Sequence, residues 1–279
     1  MLSFLLPIIY AAFISLGLPD SVLGSAWPTI YPEFGVPVSY AGIVSAIISV
    51  GTVISSLLSA RLISVLKTGG VTAISVAMTA AALYGFSICH NFWALCLWAV
   101  PYGLGAGSVD AALNNYVAIH YKSHHMSWLH CMWGVGATLG PYIMGHVLAQ
   151  GLPWNMGYRM LSFFQMALVL ALVIALPLWK AADDERDEGK EEEESAPDEP
   201  WKPRPLKEVI RIPGVKEIMV AFFCYCGLES TTGLWTGSYL TLHTGLSAEA
   251  AATFTSLAFL GITIGRALNG FLAFKFTDD

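Results

Sequence analysis

Three carboxylates lie within apolar runs long enough to cross a bilayer: Asp20, Asp110 and Glu229. A charge at such a depth costs about 2.5 kcal/mol or more even on lenient insertion scales, so each marks a candidate functional site. Two of the three sit in copies of one pattern. Gly17-Leu18-Pro19-Asp20-Ser21, followed by Gly24 and Trp27, is matched with small gaps by Gly227-Leu228-Glu229-Ser230, followed by Gly233 and Trp235. The segment after each copy repeats at a constant offset: Gly51, Leu58 and Leu62 stand 210 positions before Gly261, Leu268 and Leu272. Parallel repeats of membrane helices, each with a polar interruption near mid-span, are a construction of secondary transporters.

Each acid has neighbours that suit solute or proton handling. Pro19 lacks a donor and crowds the preceding turn, so the helix is expected to bend or loosen beside Asp20. Freed backbone groups next to a carboxylate make a polar site at membrane depth. Asp110 and Asn114 are four apart and share a helix face. An acid and an amide facing inward supply the acceptors and donors that sugar hydroxyls need, and a carboxylate away from bulk water can exchange a proton. His130 lies between Trp128 and Trp133, in the same half of the membrane as Asp110, which would allow an Asp–His proton relay. Trp133, one turn on, could stack on a sugar ring. Glu229 is the repeat partner of Asp20, with Trp235 nearby. For each residue the plain alternative is an interhelical hydrogen bond or ordinary packing.

The elements that must position these residues are membrane helices. The chain is 55% hydrophobic and 12% charged, with mean hydropathy +0.60, whereas soluble domains carry about 25% charged residues. Eight apolar runs reach the roughly 20 residues a span needs: about 4–30, 38–62, 70–89, 92–118, 127–149, 157–179, 215–240 and 250–273. The formal charge of −6 is local in origin. Eleven acids and two bases crowd 183–199, leaving +3 for the rest. That stretch is too acidic to fold alone and is expected to be disordered. Residues 205–215 read as a short amphipathic helix lying on the inner membrane surface. With alternating spans, every Lys and Arg except Arg159 falls on one side, which predicts cytoplasmic N- and C-termini.

Other constellations carry little chemistry. Cys89, Cys96, Cys131, Cys224 and Cys226 are scattered through apolar runs and read as packing residues. His120 and His124 have metal-compatible spacing but no acid or Cys nearby, so no metal site is assigned. Gly103, Gly105 and Gly107 follow no strand and suit close helix packing. No cofactor is implied, no basic stripe suggests nucleic acid, and no nucleotide-binding Gly-rich loop or His-Glu-x-x-His pattern occurs.

Six spans, a charged linker and a repeat of the first spans resemble the major facilitator superfamily. Gly261 to Arg266, then Gly270 and Lys275, resembles its loop motif after the eighth span, with Gly265, Arg266 and Gly270 as the conformational residues. Gly134, Gly136, Gly140-Pro141 and Gly145 resemble the Gly-Pro motif of its fifth span, and Gly103, Gly105 and Gly107 its small-residue pattern in the fourth. Asp20 and Asp110 look like the fucose:proton symporter branch. The resemblance implies an all-α polytopic membrane protein: a six-span bundle over 1–180, a cytoplasmic linker over 181–214, and over 215–279 the first two spans of a second, repeat-related bundle. It also implies that the first and seventh helices face each other across a central cavity. A full second bundle would need four more spans, so a fragment, an interrupted gene or a separate chain supplying them is expected. The function implied is not enzymatic: proton-coupled secondary transport of a sugar or similar polar solute at the cell membrane. A transporter-like receptor or sensor and an intramembrane enzyme are the alternatives.

Overall fold

Pro19 divides the first span. Helix α1 runs Leu2–Gly17 and α2 runs Val22–Glu33. Between them Asp20 donates its backbone N–H to the Gly17 carbonyl (3.2 Å) and Val22 to that of Pro19 (3.2 Å). The expected break beside Asp20 is therefore present, as two tight turns that replace the regular ladder. The computed structural model describes residues 2–181 and 206–275. The acidic stretch 183–199 lies outside them.

Helix α3 covers Ala41–Ser87, 47 residues. A straight helix of that length would reach about 70 Å against a hydrocarbon core of roughly 30 Å. It kinks at Lys67, whose φ of 58° is rare for a residue with a Cβ, and so supplies the second and third spans. Helices α4 (Phe92–His120), α5 (Ser123–Ala149) and α6 (Trp154–Ile174) complete the first bundle. A single helical turn, Leu206–Val209, stands where a longer surface helix was expected. Gly214, at φ 88°, then opens α7 (Val215–Thr244), and α8 is Ala248–Lys275. Among the described residues, six helical stretches are long and apolar enough to cross a membrane, and that over Val38–Ser87 can cross twice. Helix α5 packs against α1 and α8.

The first bundle has two cores, one on each side of the α1–α2 break. Trp27, Leu83, Phe86, Leu95 and Tyr158 pack on the α2 side. Ile9, Phe13, Val76, Leu113 and Leu129 pack on the α1 side. Helix α5 approaches the break closely. A Cβ on Gly17 would collide with the Trp133 carbonyl, and one on Gly136 or Gly140 with the carbonyls of Ile14 and Leu18. Only glycine allows backbones this near. Pro141, the other half of the Gly-Pro pair, is buried in this same stretch of α5. Helix α8 lines up along α5, and α7 packs chiefly on α2. The first half of α7 is left open: Phe222 is 65% exposed and Phe223 77%.

Candidate functional site

The α1–α2 break holds the Asp20 carboxylate where two helices of the first bundle can reach it. Tyr102 of α4 donates its hydroxyl to Oδ1 at 3.1 Å, and Trp133 of α5 donates its indole N–H to Oδ2 at 2.7 Å. The Asp20 side chain is exposed, and it lines a cavity. This cavity, of about 210 Å³, is lined on one side by Asp20, Ser45, Ser49, Tyr102 and Tyr158, and on the other by Glu229, Ser230 and Phe259. It therefore sits between the first bundle and the α7–α8 pair.

A second cavity of about 700 Å³ opens beside the exposed half of α7. Asp110, His130, Tyr225, Cys226, Gly265, Arg266 and Asn269 line it, and Trp133 and Glu229 line both cavities. Arg266 occupies the junction. Its Nη2 bonds Glu229 Oε1 and the Tyr225 hydroxyl at 2.9 and 2.8 Å, and its Nη1 reaches the His130 carbonyl at 3.3 Å. Its guanidinium lies 4.5 Å from the centroid of the Trp133 ring. Tyr225 also donates to Glu229 Oε1 at 2.9 Å. Glu229 thus faces the space between the bundles, with 16% of its side chain exposed. Nothing here offers a metal a ligand set among the described residues.

The residues singled out in the sequence sort into three groups. Asp20, Trp133 and Glu229 come together, as do Asp110 and Asn114, whose amide donates to Oδ1 at 3.0 Å. His130 shares a cavity with Asp110, but no hydrogen bond joins them; its ring meets Phe13 edge-on. Trp235 lies off both cavities and packs near Gly42 of α3. Arg266 lies over one face of the Trp133 ring, which also lines both cavities. Gly265, Arg266 and Gly270 lie inside α8 and form no loop. Arg266 therefore lies within the apolar helical stretch Ala248–Leu272, which is long enough to cross a membrane. Gly270 packs beside Trp128: a Cβ added there would stand 3.4 Å from the indole.

Sequence reasoning passed over Tyr102, Tyr158, Ser45 and Ser49, which line the smaller cavity, and the cavity role of Arg266. Arg266 carried a usable signal: a base within an apolar run falls under the same cost argument as the acids. Ser45 and Ser49 are four apart on α3, the spacing of a shared face.

The Major Facilitator Superfamily profile matches residues 9–278. The chain is 24% identical over 285 residues to Bypass of stop codon protein 6 of Saccharomyces cerevisiae (strain ATCC 204508 / S288c), covering 96% of the chain and 56% of that protein. It is 23% identical to the Hexuronate transporter of Bacillus subtilis (strain 168), covering 92% of the chain and 60% of that protein. The chain thus spans less than two thirds of the length of these curated relatives. The crystal structure of a D-xylose-proton symporter shares its fold at a TM-score of 0.65 and 11% identity, over 98% of the chain and 69% of that structure's chain.

Proposed function

The chain belongs to the major facilitator superfamily, and on that premise we propose that it serves proton-coupled transport of a small sugar-like solute by alternating access. The observation that carries this reading is the 210 Å³ cavity between the bundles, with Asp20 on one wall and Glu229 on the other. It is smaller than pockets for drug-sized ligands, about 300 Å³ and above, and it mixes hydroxyls and carboxylates with the aromatic rings of Phe86 and Phe259. Hydroxyl-rich solutes need that mixture of acceptors, donors and apolar faces.

The larger cavity is the entrance in the present state. Solute reaching Glu229 and Trp133 would pass into the smaller cavity beside Asp20. The far end is shut where α2 meets α7. Transport requires that this contact part while the first half of α7 closes, and a ligand drives that exchange only through different affinity for the two states. Protonation of a carboxylate supplies such a difference. Asp110 lines the entrance with Asn114 as its side-chain partner, and it is the acid we assign to coupling.

The test is reconstitution of the full chain in liposomes containing a pH-sensitive dye, offered neutral monosaccharides, sugar acids and polyols in turn. Proton movement driven by one solute class, and saturable in it, is expected. Absence of solute flux for all three classes would overturn the reading.

A further inference from the structure

We propose that Trp133 is a positioning residue that links the charge of Asp20 in the first bundle to the Arg266–Glu229 pair in the second. The proposal rests on the transport reading above for its purpose, but its physical content stands on contacts within the chain.

The indole is engaged on two sides. Its N–H donates to Asp20 Oδ2 at 2.7 Å, and its ring carries the Arg266 guanidinium at 4.5 Å. Arg266 continues to Glu229 at 2.9 Å and to the His130 carbonyl. Phe259 of α8 meets the ring edge-on at 6.1 Å. The result is one bonded chain, Asp20–Trp133–Arg266–Glu229, that crosses from the first span to α7 at the wall between the two cavities.

The physics gives this chain a direction. A hydrogen bond to a charged carboxylate is about twice as strong as one to a neutral acceptor. While Asp20 is charged, it fixes the indole and enriches its ring in electron density, which strengthens the attraction for a cation on the face. A proton on Asp20 weakens the N–H bond, frees the ring to turn, and loosens Arg266 from α5. Glu229 and α7 are then released from the first bundle. The groups that face Asp20 from the neighbouring helices are Tyr102 and Asp110 of α4, Tyr158 of α6 and Glu229 of α7. From helix α3 the cavity wall receives the hydroxyls of Ser45 and Ser49 and apolar side chains such as Leu83 and Phe86, and α8 acts through Arg266. Among the described residues, Trp133 is the side chain that contacts both Asp20 and the cation.

Cys226 lines the larger cavity beside this chain and offers a native reporter. The full chain is prepared with Cys226 as its sole thiol, the other four cysteines replaced by serine, and the labelling rate with a polar maleimide is measured in nanodiscs without solute. Asp20→Asn is expected to change the rate by about threefold or more, and that change is expected to vanish in a Trp133→Phe background, the range in which contacting residues show coupling. The ratio of Trp133→Phe to wild-type rates, which cancels the thiol's own ionisation, should fall toward one as pH drops from 8 to 5, and should be flat when Asp20 is Asn. Should Trp133→Phe fail to fold, Arg266→Lys keeps the charge but loses the flat stacking surface, and its effect must likewise depend on Asp20. Additive effects, or a ratio that ignores pH, overturn the link. Because this readout needs no solute, an additive result alongside solute-driven proton movement sinks the link alone, and a coupled result with no solute flux sinks the transport reading alone.

Discussion

Gly24 and Gly237 meet backbone to backbone: a Cβ on Gly237 would stand 2.6 Å from the Gly24 carbonyl oxygen, and one on Gly24 would overlap the Gly233 and Leu234 carbonyls. Pro28 is four residues after Gly24 and has no N–H to offer it, so this carbonyl is spared from the helix ladder and available at the crossing. This contact shuts the α2 end of the cleft. Gly24→Leu is expected to prise the helices apart, at a cost of about 1–3 kcal/mol of overpacking in the closed form. Spin labels at Tyr31→Cys and Leu242→Cys would then report a longer and broader distance than in the parent. An unchanged distance would mean that the crossing does not set the closed end.

The Glu229–Arg266 pair predicts a stability asymmetry. The two side chains are 16% and 21% exposed, so removing one charge leaves the other poorly solvated. Glu229→Gln is expected to lose roughly 2 kcal/mol, less than the 3–5 kcal/mol of a fully buried pair. Glu229→Gln combined with Arg266→Gln should recover more than half of that loss. Thermal unfolding of the detergent-solubilised protein measures both. Equal stability of the single variant and the parent would make the pair ornamental.

How much of this was legible in the sequence follows from the length scale of each signal. Apolar runs are long and redundant, so the helices emerge near their expected bounds. The break at Pro19 was legible because proline acts locally. Its repeat partner Glu229 has no such proline, and α7 is unbroken there. A base within an apolar run marked Arg266 as costly, but its partners, Glu229 and the Trp133 ring, come from other helices and are set by the tertiary fold. Trp235 went wrong: the repeated pattern put it near Glu229, but six residues of helix turn it toward Gly42. Tyr102 could be found only by asking which residue would satisfy Asp20, and that depends on packing between α4 and the first span.

The Lys and Arg distribution predicts orientation independently of the site. Lys122, exposed between α4 and α5, is expected on the cytoplasmic side. With Lys122→Cys as the sole thiol, an impermeant maleimide applied to intact cells should fail to label it, and should label it fully after permeabilisation. Labelling from outside would invert the topology.

Asp110 tests the assignment of the coupling acid. Among the described residues its carboxylate accepts the Asn114 amide, one turn on along α4, whereas Asp20 is tied to both Tyr102 and Trp133. Asn in place of Asp110 keeps shape and polarity, so the fold should survive with a melting profile near the parent's. It cannot exchange a proton, so accumulation driven by a pH gradient in liposomes should fall by at least about tenfold, the effect of withholding roughly 1.4 kcal/mol of driving force. Solute exchange across the membrane without a gradient should persist, because the smaller cavity and its hydroxyls are untouched. If accumulation remains pH-dependent in Asp110→Asn and disappears in Asp20→Asn, the coupling proton belongs to Asp20. If both variants retain it, neither carboxylate carries the proton and the coupled reading fails.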